Sequence, residues 1–306
     1  MFLEIASKLL AESLLSLYPT FVKNINISIG LQLWSRCFSY ILISAFFIDW
    51  SFIINHLFSQ NGLLLSFITA VHIYTSYRGF QLLEGGIAYA LFYTYPLMIL
   101  LLSGEKIQFM TLFALLGVII IYFNDSIDKF ILDKIILDNN KLPVTDKKIE
   151  LQKQNGVSST SHNVDNSLTG YLMIFFAALT EALIYFLVRE IKTSNNWNHL
   201  FLSYLFGAIA TTGYYFQDIS TIINNSSSNV LEISLIINIF IGLCGYLLRF
   251  FAISRLKPAI YAPLSYFGII MAFIYGIIFN NETVSITKLF GVFCILLGTY
   301  NTIIHI

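Results

Sequence analysis

Apolar and polar positions divide this chain into ten stretches of mostly apolar residues, five on each side of one long polar break. Each stretch runs to about 20 residues, the length a helix needs to cross the hydrocarbon core of a bilayer. In lipid the backbone has to satisfy its own polar groups, so a helix is the only solution open to a single segment. The pattern predicts helices over residues 2–22, 30–49, 62–82, 85–103 and 107–124, then 170–190, 199–216, 231–253, 259–279 and 286–305. Links as short as Gly104-Glu105-Lys106 force neighbouring helices to run antiparallel, and Glu84-Gly85-Gly86 marks a tight boundary. The first stretch begins almost at Met1 and is too long for the core of a signal peptide, so it is expected to stay as a membrane helix.

An odd number of crossings in the first half makes the second half enter the membrane from the opposite side. Two such halves form the inverted-repeat plan found in secondary transporters. The expected fold is therefore an all-α membrane protein of ten transmembrane helices, arranged as two inverted five-helix repeats. The repeats cover residues 1–124 and 170–306, and a polar linker covers 125–169.

The linker holds six lysines, seven acidic residues and a Ser/Asn/Gly-rich tract from Asn155 to Ser167 that is expected to be disordered. In its first part Ile127, Phe130, Ile131, Ile135 and Ile136 recur at helical spacing. Asp128, Lys129, Asp133, Lys134 and Asp138 take the other face. That alternation fits a short helix lying on the membrane surface or, equally, a solvated linker. With an inside N-terminus, the short inside loops carry Lys106, Arg189, Lys192, Arg255 and Lys257, against Lys23, Arg78 and Lys288 outside. Five against three is a weak positive-inside bias. The Asn-X-Ser/Thr tripeptides at Asn224, Asn225 and Asn281 would lie outside, but such tripeptides arise by chance in an Asn-rich chain.

Composition narrows the function classes. Apolar residues make up 57% of the 306 positions and charged residues 11%, against roughly 25% in soluble domains. The formal net charge is zero, which gives no reason to expect nucleic acid as a partner. Cys37, Cys244 and Cys294 all lie in apolar segments without metal or redox spacing, so neither a disulfide nor a metal site is expected. No His-Glu-x-x-His, Gly-x-Ser-x-Gly or phosphate-cradling Gly-rich motif points to an enzyme, and no cofactor is expected. A polytopic enzyme without a recognised motif is one alternative. No repeated filter-like loop suggests a channel.

An ionised side chain at the bilayer centre costs about 2.5–3.5 kcal/mol on insertion scales, so such residues are either paired or functional. Glu12 and Glu181 lie near the midpoints of the first helix of each half. They are candidates for lining a cavity, where one could bind a substrate amine or take up a proton. Glu4, Lys8 and Glu12 are spaced four apart, so Glu12 may equally pair with Lys8. His72, with Tyr74 and Tyr77 close by in sequence, is a candidate proton relay or an ordinary interior histidine. Arg78, near the end of the same helix, reads as an interfacial anchor.

Arg36 and Arg249 lie one to two turns inside their helices. A guanidinium there could bind a carboxylate in bidentate fashion, or serve a helix end or a lipid headgroup. Among 28 Phe, 18 Tyr and 3 Trp, the tyrosines Tyr93, Tyr95 and Tyr266 stand out because they sit beside the motif positions quoted below, and each offers a flat face with a polar tip. Pro96 removes a backbone donor and could kink its helix into a hinge or a polar edge. Gly268, Ala272 and Gly276, and separately Gly291 and Gly298, are notches for close helix packing.

The run Gly86-Ile87-Ala88-Tyr89-Ala90-Leu91-Phe92-Tyr93-Thr94-Tyr95-Pro96-Leu97, followed by Ser103-Gly104-Glu105-Lys106, resembles the signature of the drug/metabolite transporter superfamily, EamA type. The second half repeats it as Pro258-Ala259-Ile260-Tyr261-Ala262-Pro263-Leu264-Ser265-Tyr266-Phe267, then Asn281-Glu282 and Gly291. Lys23 and Arg36 also match family positions. Pro96 stands about one turn closer to Glu105 than the family pattern has it, and Ile269 occupies a position often held by Pro.

The resemblance implies a ten-helix bundle with a central cavity, working by alternating access on small metabolites such as amino acids. It implies a multi-pass protein of the cell (inner) membrane with cytoplasmic termini. The last helix of each half would pack near the other as scaffold or as a homodimer interface. Its partners would be a small-molecule solute, the lipid bilayer and a coupling ion, proton or sodium. A nucleotide-sugar-type carrier of the same fold is the alternative, which would want more cations facing the cavity.

Overall fold

Apolar segments this long bury their backbone polar groups in helices, and helix occurs in the described part of each of the ten. The computed structural model describes residues 1–17, 28–83, 85–107, 109–123, 127, 164–215, 229–280 and 285–304, and no strand occurs among them. In the first half α1 is Phe2–Leu15, α2 Ile29–Ser44, α3 Trp50–Leu57, α4 Gln60–Leu82, α5 Gly85–Phe92, α6 Tyr95–Ser103 and α7 Phe109–Tyr122. The second half follows with α8 Val164–Glu190, α9 Asn196–Tyr214, α10 Asn229–Ile253, α11 Pro258–Ser265, α12 Phe267–Asn280 and α13 Ile286–Ile304. The expected surface helix lies outside the described residues except for Ile127, as do Glu84, Lys23, the three glycosylation tripeptides and the Asn281-Glu282 pair.

Three helical stretches among the described residues are long and apolar enough to cross a membrane: Leu168–Glu190, Ile236–Ile253 and Pro258–Phe279. The pair α3–α4 adds a fourth if its 88° bend belongs to one span. Phe109–Ile121 and Ile286–Asn301 are apolar but shorter. The 14 residues of α1 reach about 21 Å at 1.5 Å per residue, and its expected continuation to residue 22 is not among those described. The outward surface carries large apolar side chains in the open, among them Phe46, Phe109, Ile209, Phe240 and Ile278. A contiguous apolar exterior of this kind suits lipid rather than water.

Two differences from the expected pattern have local causes. Residues 50–57, expected as loop, form α3, because Asp49 caps the amides of Ser51 and Phe52. Ser59 then caps α4 through the Gly62 amide, which sets the sharp bend. The fourth apolar segment is two half-helices rather than one kinked helix. The chain turns at Tyr93-Thr94 and restarts with Pro96 in the first turn of α6, where a missing N–H costs nothing. The ninth segment breaks in the matching place, at Tyr266, two residues after Leu264 and with Pro263 just upstream.

Packing joins the two halves. α4 packs along α8, α7 along α13, α1 along α10 and α2 along α9, while α6 meets α11. The α7–α13 contact depends on small residues. A Cβ at Gly117 would stand 2.5 Å from the Gly291 carbonyl oxygen, and one at Gly298 would stand 2.5 Å from that of Met110. Several buried hydroxyls are satisfied within their own helices, as Ser44 on Tyr40 O, Thr75 on Val71 O and Thr180 on Phe176 O illustrate. Gly298→Leu should lose more stability than the ~1–3 kcal/mol usual for overpacking, because the atoms it meets are backbone. Size-exclusion profiles in detergent would show loss of the folded peak, whereas Leu297→Ala on the exposed face of α13 should leave it intact.

Candidate functional site

The buried charges meet at one place. On α1, Lys8, Glu12 and Leu15 share a face through their four- and three-residue spacing. Lys8 Nζ lies 2.5 Å from Glu12 Oε1 and 3.6 Å from the centre of the Tyr261 ring. The pairing of Lys8 with Glu12 is thus present, but it does not exhaust Glu12. Tyr95 Oη, at the start of α6, donates to Glu12 Oε1 at 3.3 Å, and Arg249 Nη2 stands 3.9 Å from the same oxygen.

Arg249, on α10, links both acids. Its Nη2 lies 2.6 Å from Glu181 Oε1 and also donates to Tyr95 Oη at 3.1 Å, while its Nε donates to Tyr261 Oη at 3.1 Å. On α4, His72 presents Nε2 to Glu181 Oε2 at 3.1 Å and Nδ1 to the Ala177 carbonyl at 3.0 Å. Lys8, Glu12, His72, Glu181 and Arg249 are all buried. Breaking a buried ion pair is costly because the orphaned charge has no water to turn to.

A cavity of about 80 Å³ opens beside this cluster. Its polar wall includes Glu12, Arg36, His72 and Arg249. Its apolar wall comes from Phe80 of α4, from Tyr89 and Phe92 of α5, from Tyr93 just past the end of α5, and from Tyr246 of α10. Tyr89, Phe92 and Tyr93 lie at i, i+3 and i+4, and the Tyr93 amide still donates to the Tyr89 carbonyl, so one face supplies them all. Arg36 donates to Tyr77 Oη at 3.3 Å and Tyr204 Oη at 2.9 Å. Its guanidinium carbon lies 4.9 Å from the centre of the Tyr246 ring.

Of the residues singled out in the sequence, Glu12, His72, Arg36, Arg249 and Tyr93 line the cavity. Glu181 and Tyr95 stand behind its wall, holding Arg249. Pro96 is buried at the start of α6, and Tyr266 is buried at the break between α11 and α12. The Tyr266 hydroxyl finds no hydrogen-bond partner among the described residues. Arg36 and Arg249 are both buried in the bundle. Tyr74 is exposed on a different face of α4 from His72 and belongs to no relay with it. Arg78 is exposed and bonded to Gln81, as an anchor would be.

Sequence reasoning assigned Lys8 only to pairing and missed Tyr77, Tyr89, Phe92 and Tyr246 as lining residues. The available signal was spacing from marked positions, since Tyr246 lies one turn before Arg249, and Ser76 and Phe80 lie one and two turns after His72. Gly268 was read as a packing notch, yet a Cβ there would stand 2.1 Å from Tyr93 Oη and 2.8 Å from Glu12 Oε2. Its bareness therefore makes room for two residues of the site.

Removing one partner of the tightest pair offers a direct check. Arg249→Gln should cost about 3–5 kcal/mol of stability, as expected for a broken buried pair. Arg249→Gln combined with Glu181→Gln should cost less than the two single changes added together, because the double variant leaves no unbalanced partner. Thermal unfolding of the three variants in detergent measures both differences.

Comparison with known proteins bears on the second half by sequence and on the whole chain by fold. No curated protein matches the chain by sequence. One solved crystal structure of a protein matches 99% of this chain and 97% of its own, with a TM-score of 0.66 at 13% identity, a likeness of fold alone. Residues 168–304 match the EamA-like transporter family. That match places the second half of the chain, residues 168–304, with the EamA-like transporters of the drug/metabolite transporter superfamily, and together with the apolar helices it indicates an integral multi-pass membrane protein.

Proposed function

We propose that this protein is a secondary transporter that moves small organic metabolites, of the size of amino acids and related solutes, across a membrane by alternating access. Its working units are two inverted five-helix repeats, residues 1–124 and 170–306, joined by 125–169. The helix pairing supports this reading. Exchanging the halves turns the α1–α10 contact into the α8–α4 contact, and turns α2–α9 and α7–α13 into themselves. That is the pairing expected of two halves related by a pseudo-two-fold axis. The matching breaks at Tyr93-Thr94 and at Tyr266 point the same way.

The observation that carries the reading is the set of buried charges from both halves around one cavity. Glu12 and Lys8 come from α1, Glu181 from α8 and Arg249 from α10. Charges placed at such cost in an apolar bundle are expected at a solute or ion pathway. Arg249 reaches Glu181 directly and Glu12 through Tyr95, so a small shift of α1 against α8 and α10 changes which carboxylate it neutralises. A contact of this kind, with two acids competing for one cation, is suited to a bundle that alternates between two arrangements. Coupling to a proton through Glu12, Glu181 or His72 fits the same cluster, and a homodimer through the outer face of α7 and α13 remains part of the proposal.

A cavity of about 80 Å³ favours a small solute over a nucleotide sugar, which would also want more cations than Arg36 and Arg249. For orientation, Arg189, Lys192 and Arg255 meet around one recess at a single end of the bundle. A cationic end of this kind supports cytoplasmic termini in a cell membrane. Counterflow in proteoliposomes tests the whole reading. Trans solute should accelerate exchange, and Glu12→Gln or Glu181→Gln should lower that exchange by tenfold or more, on the order of 1.4 kcal/mol or above. Normal exchange in both variants would remove the cluster from the mechanism.

A further inference from the structure

We infer that the recess between the C-terminal end of α8 and the turn joining α10 to α11 binds the phosphate of an anionic phospholipid headgroup. The site lies apart from the central cavity and does not depend on what that cavity carries.

The recess lies where headgroups lie. The three long apolar stretches, Leu168–Glu190, Ile236–Ile253 and Pro258–Phe279, each have one end here. A bilayer that covers those stretches sets its polar layer at this level. Trp197, three residues after Ser194, stacks on Phe47, and Trp50 meets the ring of Phe201 on the same helix as Trp197. Tryptophans gathered at one end of a bundle mark a membrane interface. The recess holds about 450 Å³, and its polar lining is Arg189, Lys192, Thr193, Ser194, Ser254 and Arg255, with no acid among them.

Hydrogen bonding leaves the cations of this lining ready for an anion. Arg189 Nη1 donates to Tyr185 Oη at 2.7 Å and to the Leu256 carbonyl at 2.8 Å. Arg255 Nη1 donates to the Phe251 carbonyl at 3.3 Å and to Ser254 Oγ at 3.1 Å, and its guanidinium carbon lies 3.9 Å from the centre of the Phe251 ring. Neutral acceptors thus fix one nitrogen of each guanidinium, and the edge formed by Nε and Nη2 is left for an acceptor from outside. Two N–H groups on such an edge match two oxygens of a phosphate. Leu256 follows Arg255 in the chain, so the bond from Arg189 to its carbonyl brings the two arginines to one spot. Thr193 Oγ1 accepts from the Asn195 amide at 3.2 Å and from Asn198 Nδ2 at 3.0 Å, which leaves its own hydrogen to donate. No ion pair among the described residues engages Arg189, Lys192 or Arg255. Glu190, beside Arg189 in the chain, is exposed and outside the lining, and Glu4, whose carboxylate feels the charge of Arg255, pairs with the N-terminal ammonium. A phosphodiester seated here would join α8 to the α10–α11 turn and so stabilise the fold.

Thermal unfolding of the purified full chain in phosphatidylcholine nanodiscs tests the site, with short-chain phosphatidylglycerol, short-chain phosphatidylcholine and inorganic phosphate titrated separately. A ligand that binds only the folded state raises the midpoint in proportion to its affinity. Phosphatidylglycerol should raise it saturably, and the other two should not at the same concentrations. Arg255→Gln and Lys192→Gln, both at exposed positions, should each weaken phosphatidylglycerol by about fivefold, the loss expected when one cation leaves an anionic membrane surface. Lys257→Gln removes the same charge from an exposed position outside the lining and should leave the affinity unchanged. The comparison among the three probes needs no variant and stands even if a substitution fails to fold. Absence of a saturable shift with phosphatidylglycerol overturns the inference. An equal shift with phosphatidylcholine would assign the effect to acyl chains, and an equal shift with inorganic phosphate would assign it to a free anion, and either result overturns it too. Equal losses in Lys257→Gln and Arg255→Gln would replace the site with a diffuse attraction.

Discussion

Everything in this bundle is arranged around the difficulty of keeping charge out of water. Lys8, Glu12, Glu181, Arg249 and Arg36 are buried where neither solvent nor headgroups can solvate them. Each therefore has to be held by another group. The ammonium of Lys8 lies between a carboxylate and a phenol face, and Arg249 divides its donors among Glu181, Tyr95 and Tyr261. Those contacts reach across the molecule, so the electrostatics that satisfy the charges also tie α1 and α6 to α8 and α10. Removing one member disturbs several helices at once.

Backbone construction makes the crowding feasible. At the break at Tyr93-Thr94 the rings of Tyr93 and Tyr95 stand 6.0 Å apart beside the charges. Tyr95 reaches both Glu12 and Arg249, and Tyr93 lies on the cavity wall. Gly268 leaves the space that Tyr93 and Glu12 occupy. Away from the cavity, α7 and α13 pack closely through Gly117, Gly291 and Gly298.

Much of this was legible in the sequence because membrane helices write themselves in hydropathy. All ten apolar segments hold helix, and the rarity of charge inside them drew attention to Glu12, His72, Glu181, Arg36 and Arg249. Partnerships were less legible. Only Lys8–Glu12, four residues apart, could be foreseen from helical spacing. Arg249–Glu181 and His72–Glu181 join residues far apart in the chain and depend on which helices pack together. α3 went unseen because eight residues capped by Asp49 look like a polar-ended continuation of the preceding apolar run. The cavity tyrosines were hidden among 18 of their kind, since composition does not say which face a ring takes.

The account turns on a cavity that both sides of the membrane can reach, though not at the same moment. Ser76 lines that cavity on α4 and is small enough to replace. In a variant with Cys37, Cys244 and Cys294 changed to alanine, Ser76→Cys can be challenged with a membrane-impermeant thiol reagent from each side of oriented proteoliposomes. Labelling from both sides, with bound solute altering the rate on each, is the predicted result. Labelling confined to one side under every condition, or absent from both, would contradict alternating access to this site.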